Sequence, residues 1–153
     1  MKLHELNRLL NNGDPILNEL YCQFTKLLIE LGKRELPDEI VISINNDIDE
    51  INSVANNGKA LRKQISKGQR RIIKLLEKDL KLVPINYYRN VWTALGMAVF
   101  GIPVGVAFGT SLGNMAYLAL GLPIGLAIGY GVGDAMDKKA LKEGRQLDIE
   151  IKY

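Results

Sequence analysis

From Asn90 to Gly133 the chain runs for 44 residues without one Asp, Glu, Lys, Arg or His. A bilayer span takes about 20 apolar residues, so this run is long enough for two helices and too long for one. It also repeats itself. GIPVGVAFGTSLG at 101–113 aligns without gaps on GLPIGLAIGYGVG at 121–133, so Gly101, Pro103, Gly105, Gly109 and Gly113 recur as Gly121, Pro123, Gly125, Gly129 and Gly133. Glycine at every fourth position lines one face of a helix. In water each would weaken that helix by about 1 kcal/mol. In lipid the backbone has no partner but itself and stays helical, while the glycine face lets a second backbone approach. The expectation is a transmembrane helical hairpin with spans at about 91–112 and 115–133. All eight glycines are read as helix-packing positions, with bends at Pro103 and Pro123, each of which deletes a backbone hydrogen bond. A flexible glycine linker is the alternative, but such linkers are polar, and here Val, Ile, Leu, Phe, Met and Ala fill the gaps.

The flanks set an orientation. Tyr87, Tyr88, Arg89 and Trp92 head the run as an interfacial anchor of amphipathic aromatic rings and a cation. Residues 1–58 carry 5 Lys/Arg against 10 Asp/Glu, residues 59–81 carry 9 against 2, and the inter-span connection around Gly113 and Asn114 carries none. Cations gathered before the first span place both termini in the cytoplasm and the hairpin tip outside, in the inner membrane. The first residues hold Glu5 and Asp14 and no apolar core, so they do not read as a signal peptide. Cys22 is the one cysteine and forms no internal disulfide; it reads as a small packing residue.

Residues 1–85 read as a cytoplasmic helical domain, 86–136 as the hairpin and 137–153 as a cytoplasmic tail, an all-α bundle or helical hairpin joined to a transmembrane hairpin. Residues 3–11 show a short helical pattern, closed by Asn11-Asn12-Gly13. Asp14-Pro15 starts a second helix, an N-cap followed by proline at the first helical position. Leu17, Leu20, Phe24, Leu27, Leu28 and Leu31 form its apolar stripe, and Gly32 ends it. From Pro37 the β-branched Ile40, Val41, Ile42 and Ile44 allow a strand. The register Ile44, Ile48, Ile51 and Ala55 favours a helix. Asn56-Asn57-Gly58 then turns the chain into a helical hairpin, or else 37–83 is one long stalk. The last residues, with Leu147, Ile149, Ile151 and Tyr153 alternating with charges, have a strand pattern. Its partner is residues 40–44, another subunit or a different protein; otherwise it is a frayed tail.

The helix expected from Lys59 to Val83 opposes an apolar side (Leu61, Ile65, Ile72, Leu76, Val83) to eight cations: Arg62, Lys63, Lys67, Arg70, Arg71, Lys74, Lys78 and Lys81. Such a face lies on anionic headgroups at about 1 kcal/mol per cation near the surface. Two other readings stand beside this favoured one. The acids Asp47, Asp49 and Glu50 of the preceding segment are an internal partner, and nucleic acid is not expected because no groove-reading motif accompanies the charge.

The segment from Asn86 onward resembles small bacterial membrane proteins described as glycine zipper family proteins. The features that carry the resemblance are Tyr87-Tyr88-Arg89, FGIPVGVAFG and LGLPIGLAIG, Gly113-Asn114-Met115-Ala116, Met136-Asp137-Lys138-Lys139 and Glu143-Gly144-Arg145. The resemblance covers a little under half of the chain and implies two spans and helix-helix packing, with no activity attached.

His4 is the single histidine, so neither a histidine metal site nor a Ser-His-Asp arrangement is expected within one chain. No GK[ST] follows the glycines, no charge interrupts the spans, and neither an enzyme nor a cofactor is expected. The leading expectation is a homo-oligomeric membrane protein in which one glycine face packs the hairpin and the other meets a neighbour. It forms or regulates a pore, or perturbs the bilayer, under control of the helical domain, with Thr110, Ser111 and Asn114 at the pore mouth. The alternative is a passive anchor or scaffold in which the hairpin uses both glycine faces and the helical domain recruits a cytoplasmic protein.

Overall fold

The computed structural model describes residues 2–7, 14–54 and 58–151. It is mostly helical and divides into two compact units, one of residues 1–83 with 147–151 and one of 84–146 with 152–153. The boundary expected at 85 thus falls at 83/84. The C-terminal strand, expected in a separate tail, belongs with the helical unit.

In the first unit, α1 spans Pro15–Gly32. Asp14 caps it as its composition predicts, Oδ1 accepting from Leu17 N at 3.1 Å, with Pro15 where the missing N–H costs nothing. Helix α2 spans Asp38–Ser53, which removes the strand alternative for 40–44 and with it that partner for the C-terminal strand. Helix α3 spans Gly58–Leu75 and continues as a π turn over Leu76–Leu80. Helices α2 and α3 pack on one another, so 37–83 is a hairpin rather than a stalk. The corner residues Asn56 and Asn57, and Ala55 of the α2 register, lie outside the described residues. The three helices bury Phe24, Leu27 and Leu31 against Ile44, Ile48, Ile51, Ile65 and Ile72. At about 25 cal/mol per Å² of apolar surface, that cluster is the main stabilising term of the unit.

Four expectations change here. Residues 2–7 are neither helix nor strand; they form an arm held by Tyr21 of α1 and by Asn45 and Asn52 of α2. The rest of that predicted segment, with Asn11-Asn12-Gly13, lies outside the described residues. Helix α3 does not reach Val83. Val83 precedes Pro84, whose ring disfavours the helical region for the residue before it. The chain therefore closes the helix at Lys81 in the left-handed conformation, φ 56, and turns extended. Strand β1, Val83–Ile85, then pairs with β2, Gln146–Glu150, a partner absent from the sequence reading. The alternation of β2 is real, for Leu147, Ile149 and Ile151 are buried. Cys22, expected to pack, is exposed.

Charge pairs tie the helices. Arg62 Nε meets Asp14 Oδ2 at 2.8 Å, and Arg71 pairs with both Asp47 and Glu50. Glu30, buried, takes Lys33 at 2.8 Å and accepts from Asp148 N at 3.3 Å. Hydrogen bonds from Arg62, Lys33 and Arg71 hold the carboxyls of Asp14, Glu30 and Glu50 below the ordinary range. Burial pushes Asp47 up, against the pull of Arg71. A carboxyl lowered by folding stabilises above its unfolded-state pKa and loses that contribution as pH falls through its folded value. Asp47, raised, acts in the opposite sense. With three groups against one, the helical unit is expected to melt at lower temperature at pH 3 than at pH 6, followed by circular dichroism of the intact chain in detergent. An unchanged midpoint would mean that the three lowered carboxyls do not outweigh Asp47.

The second unit is a helical hairpin. Its first limb is α4, Tyr87–Gly96, a π turn at Met97–Gly101 and α5, Ile102–Ser111. Its second limb starts with a 3-10 turn at Met115–Tyr117 and continues as α6, Leu118–Lys142. Both limbs are long and apolar enough to cross a membrane, 25 and 28 residues long, each with an 18-residue window whose mean hydropathy is 1.9 and 1.7 respectively. The first helix begins at Tyr87 rather than 91, and the second runs on past its span to Lys142, just before Gly144. Gly144, φ 68, ends α6 through Gly144 N to Leu141 O and Arg145 N to Ala140 O, the left-handed stop that glycine makes without strain.

Candidate functional site: the glycine-lined hairpin

The buried residues of α6 are Gly121, Gly125, Gly129, Gly133, Asp137 and Ala140, a stripe at steps of four closing with a step of three. Facing it, the buried residues of the first limb are Gly96, Gly101, Gly105 and Gly109. The step from Gly96 to Gly101 is five residues, and an unbroken α-helix would carry Gly96 away from that face. The π turn at Met97–Gly101 widens one turn by a residue and keeps Gly96 in line. It also lies directly before Pro103, where the helical ladder lacks a donor. Pro123 sits inside α6.

The two glycine faces meet each other. A Cβ added at Gly125 would lie 2.5 Å from both Gly101 N and Gly96 O and 2.7 Å from Gly101 Cα. One added at Gly121 would lie 2.6 Å from Gly105 Cα, and one at Gly133 2.6 Å from Tyr88 O. These obstacles are backbone atoms, so no rotamer change makes room. Toward the tip the contact loosens: at Gly109 the nearest atom is Met115 Sδ at 3.1 Å. Gly113, expected to pack, does not; it has nothing within 4 Å and takes φ 64 in the turn. Gly96 was missed because it stands outside the four-residue repeat.

The open end of the hairpin is closed by polar contacts. Asp137, expected in water, is buried. Its two oxygens accept from Tyr88 N at 3.0 Å and Arg89 N at 2.9 Å, so α6 supplies the acid for the first turn of α4, where unpaired N–H groups and the helix dipole favour an anion. Asn86, the N-cap residue, makes no side-chain capping bond. Of the expected interfacial anchor, Tyr87 and Tyr88 pack edge to face at 5.3 Å. Arg89 lies over the Tyr130 ring, 5.5 Å from its centre, and the backbone at Trp92 sits against Gly129.

The polar residues assigned to a pore mouth have local roles. Thr110 Oγ1 donates to Val106 O at 2.9 Å and Ala107 O at 3.1 Å along its own helix. Asn114 Oδ1 accepts from Ala116 N at 2.9 Å and starts the second limb, and Ser111 is exposed beside it.

Of the eight cations on the basic face, Arg62 and Arg71 are engaged by acids of the first unit, and the internal partner weighed for this face is Asp47 with Glu50. Asp49 instead meets His4. Lys63, Lys67, Arg70, Lys74 and Lys78 are exposed, and the first four recur at i, i+4, i+7 and i+11 on one side of α3. Lys81 lies beyond the helix at the left-handed stop. Comparison with protein-family models, with curated proteins and with solved structures returns no match.

Proposed function

We propose that the protein is a membrane-anchored helical module, with the hairpin seated in the bilayer and the helical unit working at the cytoplasmic face. The observation that carries this reading is which residues the hairpin hides. It buries glycine and displays Val99, Phe100, Ile102, Leu120, Leu122 and Ile128, each 40 % exposed or more. Only 17 % of each apolar window is buried. A water-soluble helical pair does the reverse, and an apolar surface continuous over two helices of this length matches lipid. The resemblance to glycine zipper family proteins supports the same reading.

The pore reading rested on one glycine face remaining free. Here each glycine face is occupied by the other, so self-association through them requires the hairpin to open, and the geometry favours the anchor. The exposed stripe of Lys63, Lys67, Arg70 and Lys74 gives the anchored unit a surface for anionic headgroups.

Cysteine labelling tests the proposal in intact cells. An impermeant thiol reagent is expected to modify Asn114→Cys and to spare Lys142→Cys and the exposed native Cys22, which serves as a built-in internal probe. The protein should sediment with membranes and resist alkaline extraction. Extraction into the soluble fraction would end the membrane reading, and labelling of Cys22 from outside would invert the orientation. Dye release from reconstituted liposomes well above the protein-free rate would restore the pore.

A further inference from the structure

The face of α2 formed by Asn45, Asp49 and Asn52, spaced i, i+4 and i+7, is given over to the extended arm of residues 2–7. Asn45 Oδ1 accepts from His4 N at 2.8 Å while its Nδ2 donates to Lys2 O at 3.0 Å. Two helical turns on, Asn52 repeats the contact: Oδ1 accepts from Asn7 N at 3.2 Å and Nδ2 donates to Glu5 O at 3.1 Å. Each carboxamide thus reads the carbonyl of residue n and the amide of residue n+2 of an extended chain. The pitch matches. Seven helical residues rise about 10.5 Å, and three residues of extended chain cover about 9–10 Å, so the pattern advances three arm residues per two turns of helix.

The rest of the contact is undemanding of sequence. Tyr21 Oη donates to Leu6 O at 2.7 Å, again a backbone atom. Leu3 and Leu6, three apart, are the half-buried side chains, while Lys2, His4, Glu5 and Asn7 are exposed. The His4–Asp49 pair, 3.0 Å, stands in solvent. Beside the arm a cleft of about 820 Å³ continues along α1, lined by Tyr21, Leu28, Ile29, Leu36 and Val41, so the arm fills only part of the groove.

We infer that this groove between α1 and α2 is an acceptor site for an extended peptide segment of a partner protein, and that the N-terminal arm is its built-in occupant. Backbone hydrogen bonds supply most of the recognition, as in other extended-peptide sites, and side-chain pockets supply the selection. The ligand has apolar side chains three residues apart, at the places of Leu3 and Leu6, and no proline at the places of His4 and Asn7, where an N–H is read. The tethered arm competes at millimolar effective concentration, so an outside segment must displace it. This gives the recruiting unit of the proposed anchor a defined surface, and it rests on the helical unit alone, independent of membrane insertion.

The test uses the intact chain in detergent and a fluorescent peptide MKLHELNRL. In the variant His4→Pro with Asn7→Pro the arm loses both N–H groups that the asparagines read. That variant is expected to bind the peptide at least about tenfold more tightly than the native chain, whose own arm competes. Adding Asn45→Ala and Asn52→Ala should remove the gain, and a peptide with proline at its fourth and seventh positions should not bind. Equal binding by native chain and variant, or binding indifferent to Asn45 and Asn52, overturns the inference. Amide exchange in the native chain gives a second readout that needs no variant. The His4 and Asn7 amides are expected to exchange well over tenfold faster than those of Ile44 and Ile48, as a displaceable arm opens locally; exchange as slow as the core overturns it. Concentration-dependent energy transfer between arm-labelled chains would assign the groove to a second copy's arm and overturn the partner assignment.

Discussion

Replacing Gly125 by Ala is expected to separate the hairpin, at a cost of about 3 kcal/mol or more. The new Cβ would lie 2.5 Å from Gly101 N and Gly96 O, about 1 Å inside van der Waals contact, and overpacking against atoms that cannot rotate away lies at the upper end of its usual range. Gly131→Ala is the matched control. It lies on the same helix, has nothing within 4 Å and should gain up to about 1 kcal/mol of helix propensity. Gly96→Ala is the sharper probe, because its Cβ would lie 2.7 Å from Gly129 Cα only if the π turn holds Gly96 in line. It should therefore behave like Gly125→Ala. Thermal unfolding in detergent, read together with disulfide crosslinking between the limbs, distinguishes these outcomes. Equal melting of the Gly125 and Gly131 variants would remove the close-packed interface, and a silent Gly96→Ala would remove the π-turn register.

The second large effect is expected at Asp137. Its carboxylate satisfies Tyr88 N and Arg89 N at a site already pressed close by Gly133, so water has little room to replace it. Asp137→Ala leaves two helix-start amides without their acceptor, at an expected cost of about 1–3 kcal/mol. Asp137→Asn retains one carbonyl acceptor and should fall between. The distinguishing readout is local: exchange of the Tyr88 and Arg89 amides should speed up several-fold before the rest of α4 responds. If both amides keep their native protection in Asp137→Ala, the carboxylate is not the cap.

Much of the hairpin was legible because its determinants are local. The absence of charge from Asn90 to Gly133 and the recurrence of glycine every four residues depend on no distant partner. The stripes Leu17–Phe24–Leu31 and Ile44–Ile48–Ile51 were legible for the same reason, as each specifies which side of one helix is buried.

Periodicity names a face, however, and never the neighbour that covers it. Gly96 was invisible because the five-residue step to Gly101 breaks the four-residue rule, and only the facing limb makes a π turn worth its weaker hydrogen-bond geometry. Nothing in the sequence singled out the asparagines at 45 and 52, whose partners exist only once the arm lies across them. For Arg71 the sequence left both a membrane-facing stripe and the internal acids Asp47, Asp49 and Glu50 open, and the packing of α2 on α3 decided for Asp47 and Glu50. The strand at 146–150 had a clear alternation, but the partner offered within the chain, residues 40–44, is helical, and its real partner β1 arises only where Pro84 denies Val83 the helix. The sequence by itself therefore determined most of the helices and their buried sides, which follow from hydrophobicity and backbone preference along a few turns of chain. The tertiary structure alone decided register and pairing. Those depend on which polar and close-packed groups, distant in the sequence, satisfy one another once water is excluded.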